Sequence, residues 1–248
     1  MKKVVITGAS SGIGLALSKV FAKNSYDLVL VARRQDRLFD LKKELESNYG
    51  ISVDVEVMDL GVKGNLEILS HKHKDADILI NNAGFGKFGN FLDSNLNEDI
   101  NMIDLNISSL VILTKLFSST MKKTGKIVNI GSTAGFQPIP LMSVYGASKS
   151  FVNDFTLAIQ QEINEPQIVL FCPGETKTEF QEVAKRPKSS FLRGRIPSAM
   201  EVAEYLYKEL KKERKFIIWG FYNRLLLSFQ RIFPKNILAK VVYKTQKR

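Results

Sequence analysis

Val4-Val5-Ile6-Thr7-Gly8-Ala9-Ser10-Ser11-Gly12-Ile13-Gly14 opens the chain with a strand-like apolar run, a glycine-rich turn and the start of a helical pattern. In that context the turn's backbone N–H groups can face a pyrophosphate, and the helix dipole favours negative charge there. Glycines let the backbone approach the phosphates closely. The spacing Gly-x-x-x-Gly-x-Gly is not the commonest dinucleotide fingerprint, and such glycines also serve as plain turn residues. The strand-turn-helix setting favours the binding role for Gly8, Ser10, Ser11, Gly12, Ile13 and Gly14.

Outward from this turn, short β-branched runs alternate with longer segments of helical period. Val4–Thr7, Leu28–Ala32, Val53–Met58, Ile78–Asn81, Lys126–Ile130, Ile168–Phe171 and Phe216–Trp219 read as strands. Helices are expected near Ile13–Lys23, Arg37–Ser47, Glu98–Lys122, Tyr145–Ile163 and Ala199–Lys212, the last opened by a capping box of Ser198 and Glu201. Strands that are continuously apolar and separated by helices imply an α/β fold, a doubly wound seven-stranded parallel sheet covered on both faces. The length of 248 residues allows one large domain, read as residues 1–220, followed by a basic extension over 221–248. Residues 175–197 show neither period nor strand character and carry Lys185, Arg186, Lys188, Arg193 and Arg195, which predicts a mobile loop over a site.

The second strand ends in Ala32-Arg33-Arg34, where an NAD-binding chain usually places an acidic residue for the ribose 2′-hydroxyl. A guanidinium suits a 2′-phosphate that a carboxylate would repel, so NADP(H) is the expected cofactor; a solvated pair of charges is the alternative. Asp59-Leu60 closes the third strand, where the Asp can accept from an adenine amino group or cap the next helix. Tyr145 and Lys149 stand four apart on one helix face. A cation about 4 Å from a phenol, at an effective dielectric of about 20, supplies roughly 4 kcal/mol and lowers a pKa near 10 by up to about three units. Such a phenol exchanges protons near neutrality, although Tyr-x-x-x-Lys pairs are common on protein surfaces. Ser132 follows the fifth strand, where ligands bind in open α/β sheets, but serines there are also turn formers. Asn106 lies inside a helical segment that asparagine does not favour.

Taken together, these residues resemble the short-chain dehydrogenase/reductase family in its form of about 250 residues, from Lys3 to about Phe180. Thr7–Gly14 is similar to its TGxxxGxG loop, Asn81–Gly84 to its NNAG segment, Asn106 to its helix asparagine, Ser132 to its catalytic serine and Tyr145–Lys149 to its YxxxK pair. Pro173-Gly174 and Thr178 match the PG-x-x-x-T run, and the order and spacing agree. The resemblance implies that Tyr145 passes the proton, Lys149 holds the nicotinamide ribose and lowers the Tyr pKa, Ser132 orients the carbonyl, and Asn106 anchors a water. It also assigns Asn82, Ala83, Gly84, Pro173, Gly174 and Thr178 to the cofactor's surroundings, and it implies homo-oligomers built on helices near Asn106–Lys122 and Ala147–Ile163. Thr176-Lys177-Thr178 departs from the family, which usually has a hydrophobic residue before the final Thr. The activity implied is hydride transfer between NADP(H) and a carbonyl or alcohol. A dinucleotide-binding sensor, or a membrane-surface protein on the same scaffold, is the alternative.

Composition adds limits. From Val183 onward there are 17 Lys or Arg against 4 Asp or Glu, more than the whole-chain net charge of +11, so the catalytic body is near neutral. The single Cys172 reads as a small buried hydrophobe and points to a reducing, cytoplasmic setting. No leader or long apolar span is apparent, and the protein is expected to be soluble or surface-bound. His71 and His73 lack companions for a metal site and read as part of a solvated helix. Phe85, Phe88, Phe91, Phe136 and Leu141 hint at an apolar substrate pocket. Beyond Gly220, Leu225, Phe229, Ile232 and Phe233 recur at helical spacing opposite Arg224, Ser228, Arg231 and Lys235. After Pro234, which should separate two helices, Ile237, Leu238, Val241 and Val242 face Lys240 and Lys244. This pattern suits either an anionic membrane surface, giving access to an apolar substrate, or packing on protein; nucleic acid is not expected, since no aromatic platform accompanies the charge.

Overall fold

The computed structural model describes residues 1–185, 195–230 and 233–246; Arg186, Lys188, Arg193, Arg231, Ile232 and the side chain of Phe229 lie outside the described residues. Seven strands, β1 (Lys3–Thr7), β2 (Asp27–Ala32), β3 (Val53–Val57), β4 (Ile78–Asn81), β5 (Lys126–Ile130), β6 (Gln167–Cys172) and β7 (Phe216–Ile218), form one sheet. Every pairing is parallel and the order is β3-β2-β1-β4-β5-β6-β7, so β1 lies between Leu28 of β2 and Ile78 of β4 at the level of Val4. The helices are α1 (Gly12–Lys23), α2 (Gln35–Tyr49), α3 (Lys63–Lys72), α4 (Leu96–Ile103), α5 (Ser109–Thr120), α6 (Ser143–Glu162), α7 (Phe180–Val183), α8 (Ala199–Leu210), α9 (Phe221–Gln230) and α10 (Lys235–Gln246).

Alternation within the strands divides the core in two. Val4 and Ile6 of β1 pack with Leu17 and Phe21 of α1, Leu38 of α2 and Leu206 of α8. The intervening Val5 packs with Leu66 of α3, Leu113 and Phe117 of α5 and Ile159 of α6. Both faces are therefore buried, which is why the strands read as continuous apolar runs. The connections reverse between β1 and β4, and that reversal opens a crevice at the carboxyl ends of the strands.

Several expectations are corrected here. α3 carries only Leu66, Leu69 and Ser70 inward, with Ile68 exposed, the thin stripe of a largely solvated helix. Its end is not a solvated face: His73 is buried, with Nε2 2.9 Å from Glu56 Oε1. Burial alone would raise the Glu56 pKa, but Lys72 and His73 outweigh it and hold the carboxyl below its ordinary value. The helix expected from Glu98 to Lys122 is present as a continuous helical run over Leu96–Thr120, widened into a π-helical turn at Asp104–Ser108 around Asn106. Leu96–Thr120 is long and apolar enough to cross a membrane by length and composition; Leu110, Leu113 and Phe117 of that run are inside this fold. The loop over 175–197 contains α7 and a backbone bridge from Lys177 to Ser198, because a four-residue helix is too short to show a period. Pro234 does separate two helices.

Candidate active site

At the head of the crevice, Gly8 has φ +70, and a Cβ there would lie 2.9 Å from Asn82 Nδ2. A Cβ on Gly14 would meet Gly8 O at 2.3 Å, so this glycine lets α1 start hard against the turn. The Thr7 hydroxyl receives the N–H groups of Asn82 and Ala83, each at 2.9 Å, and Asn82 Nδ2 donates to Thr7 O at 2.9 Å. The ends of β1 and β4 are thereby tied together. α1 has no acidic residue in its first turn and no side-chain cap, so its leading N–H groups are available to an anion. That cradle fits a pyrophosphate.

Beside it, Arg33 and Arg34 both line the crevice but make different contacts. Arg34 Nε donates to Ser10 Oγ at 3.1 Å, whereas Arg33 is more exposed and pairs with Asp59 at 3.5 Å. Asp59 does not cap α3, whose N-cap is Val62; its carboxylate receives Gly61 N at 2.9 Å. Arg37, one helical turn beyond Arg34, joins the group through Glu179, and neither residue was singled out from the sequence. With Ser10, these guanidinium groups make a donor set suited to a phosphate.

At the other end, Ser132 follows β5, and its main chain is clamped by Asn153, whose Oδ1 receives Ser132 N at 3.3 Å while its Nδ2 donates to Ser132 O at 3.0 Å. The Ser132 hydroxyl also receives Ala134 N at 3.0 Å. Tyr145 and Lys149 lie in the first turns of α6, and the Lys149 ammonium donates to Ile130 O at 2.8 Å. Burial lowers the Lys149 pKa from 10.5 to about 8. Lys149 thus remains mostly cationic near neutral pH while already poised to titrate. Cys172, behind it, is fully buried, and burial pushes its thiol up. The Phe180 ring of α7 packs on Tyr145 with centroids 5.0 Å apart.

Asn106 lies in the π-helical turn that joins α4 to α5. Its Oδ1 receives Phe85 N at 3.1 Å, and its Nδ2 donates to Phe85 O at 2.9 Å and Ser148 Oγ at 3.0 Å. The side chain therefore pins the strand end next to Tyr145 from behind the crevice. Gly14 and Asn106 support the cavity without lining it; the other expected cofactor and catalytic residues line a single cavity of about 780 Å³. Among the described residues no three His, Cys, Asp or Glu side chains cluster as metal ligands.

The apolar walls differ from those expected. Phe85 lines the cavity, joined by Ile139, Met142, Phe180 and Val183. Phe91 is exposed, and Phe136 turns away toward Phe216. The remaining side is closed by Leu227 of α9 and Leu238, Val241 and Val242 of α10, with Phe233 between the helices. Among the described side chains of α9, Asn223 and Leu227 line the cavity while Leu225 is exposed, and Arg224 donates to Ile218 O and the Tyr205 hydroxyl of its own fold. Helical spacing finds a stripe but not which side of it docks.

Residues 2–189 match the family model described as short chain dehydrogenase. The chain is 37% identical over 194 residues to an NADP-dependent 3-hydroxy acid dehydrogenase of Schizosaccharomyces pombe, covering 73% of this chain and 74% of that one. It is 32% identical to the very-long-chain 3-oxoacyl-CoA reductase of Anas platyrhynchos, covering 73% of this chain and 62% of the relative. A short-chain dehydrogenase from Sphingobium yanoikuyae, solved in complex with NADPH, superimposes with a TM-score of 0.82 at 30% identity, covering 94% of this chain and 95% of that one.

Proposed function

Because the chain belongs to the short-chain dehydrogenases and is an oxidoreductase of nicotinamide-dependent type, we propose that it uses NADP(H) to interconvert a carbonyl and an alcohol on a substrate bearing an apolar group. One observation carries the reading: a single cavity joins the Gly8–Ile13 turn and Arg34 to Ser132, Tyr145 and Lys149, and continues between apolar walls. The dinucleotide supplies or takes the hydride when bound. Tyr145 passes the proton at the substrate oxygen, and the Lys149 ammonium favours the phenolate by its charge. Ser132, held by Asn153, orients that oxygen with its hydroxyl. Asn106 keeps Phe85 and the start of α6 in register, and Gly8 to Ile13 with Arg34 hold the phosphates.

The apolar substrate is supported by Phe85, Met142, Phe180 and the α10 residues in the cavity lining. Relatives named for 3-hydroxy acids and 3-oxoacyl thioesters support a substrate with an acyl chain. The outer side of α9 and α10 leaves Phe221, Tyr222 and Ile237 exposed beside Lys235, Lys240 and Lys244, a surface suited to anionic lipid from which such a substrate would come. The test is a panel of 3-oxo esters, 3-oxoacyl thioesters and apolar ketones, with NADPH consumption followed by absorbance. Turnover that rises with chain length is expected. No turnover with any carbonyl or alcohol, together with tight NADPH binding, would favour a sensor.

A further inference from the structure

Glu179 reaches across the cavity mouth from the segment that follows β6. Its two carboxylate oxygens receive Arg34 Nη1 at 2.9 Å and Arg37 Nη1 at 2.6 Å, while Arg34 Nε stays on Ser10 Oγ at 3.1 Å. Two guanidinium groups, one of them also bonded to the Ser10 hydroxyl, are thus gathered around an oxyanion, and that oxyanion is a side chain of the protein. Arg34 and Arg37 hold the Glu179 carboxyl below its ordinary pKa, so it is ionised throughout the neutral range. A 2′-phosphate carries a charge near −2, and it would meet the Glu179 charge at the same donors.

We propose that Glu179 is a cofactor-specificity residue that competes with the 2′-phosphate of NADP(H) for Arg34 and Arg37. The proposal rests on reading Arg34 as a phosphate ligand. Competition has a consequence at the reacting end, because the next residue is Phe180, whose ring lies on Tyr145. Phe180 and Val183 of α7 both line the cavity, and the Phe180 N–H is held by Thr178 Oγ1 at 3.3 Å. Phosphate binding therefore frees the anchor of α7 and shifts the wall over Tyr145. NADH, with a 2′-hydroxyl, leaves the anchor in place.

The pairs are roughly 40–50% exposed, so each contributes modestly, and releasing both corresponds to about threefold to tenfold in a binding constant. The experiment is isothermal titration of NADPH and NADH into the full-length wild type, Glu179→Gln and Arg34→Ala. Hydrogen exchange of residues 179–185 is measured in parallel. Expected are NADPH binding tightened threefold to tenfold in Glu179→Gln with NADH unchanged, and faster wild-type exchange with NADPH than with NADH. Weaker NADPH binding, no change, or an equal change for both cofactors in Glu179→Gln would overturn the competition and leave Glu179 a strap that positions the arginines. If Arg34→Ala leaves NADPH affinity intact, the reading of Arg34 itself fails; if it weakens NADPH alone while Glu179→Gln has no effect, only the competition fails.

Discussion

Replacing Lys149 by methionine exchanges a buried ammonium for an apolar side chain of similar length. Lys149 is 7% exposed, and burial brings its pKa from 10.5 to about 8. A displacement of that size corresponds to about 3 kcal/mol of folding free energy lost to keeping the charge inside. Because the folded-state value lies below the unfolded one, the penalty is complete below about pH 8 and vanishes above the ordinary 10.5. Methionine also removes the hydrogen bond to Ile130 O, a loss of about 1 kcal/mol. The variant should therefore be more stable than wild type by about 2 kcal/mol near pH 7, a rise in Tm of roughly 4–8 °C for a chain of this length. The advantage should shrink to under about 1 kcal/mol near pH 9.5. Urea denaturation of the cofactor-free protein at both pH values measures this, since bound dinucleotide would add its own stabilisation. Turnover should be lost at the same time. A variant less stable than wild type at neutral pH, or a difference independent of pH, would refute a burial penalty at Lys149.

If Tyr145 passes the proton, Tyr145→Phe should lower turnover by about 10² to 10⁴, with NADPH affinity by titration changed less than about twofold; undiminished turnover would end the assignment. On α4, Leu96, Ile100 and Ile103 leave an apolar face exposed, and Phe151 is exposed on α6, against which α4 packs. If that face joins copies of the chain, light scattering should give a multiple of the 28.0 kDa monomer, and Ile100→Asp should reduce it to one copy. The full chain should float with anionic vesicles and not neutral ones, with binding that falls with salt and is weakened in the Lys235→Glu, Lys240→Glu, Lys244→Glu triple variant. Equal flotation with neutral vesicles would count against the charge-led contact.

Local chemistry made much of this molecule legible in one dimension. The seven parallel strands could be read because both faces of the sheet are buried, which imposes uninterrupted runs such as Val4-Val5-Ile6. Gly8, Gly14, Ser132, Tyr145 and Lys149 stand out in the sequence because turns, strand ends and one helical turn constrain their spacing within a few residues. What escaped depends on partners distant in sequence. His73 is inside because Glu56 from β3 meets it, and the helix widens at Asn106, whose side chain bonds the Phe85 backbone.

The sequence by itself determined the fold class and singled out the glycine-rich turn and the Ser132, Tyr145 and Lys149 set as candidates, since each is written in contiguous or helically spaced residues. Only the tertiary structure decided that Arg34 and not Arg33 stands over Ser10, and that Glu179, 145 residues further on, closes upon Arg34. It also decided that Leu227 and α10 wall the cavity while Leu225 faces outward. The physical reason is common to all three. Spacing says which side chains share a face, whereas the direction of that face is set by contacts with segments the chain brings together only on folding.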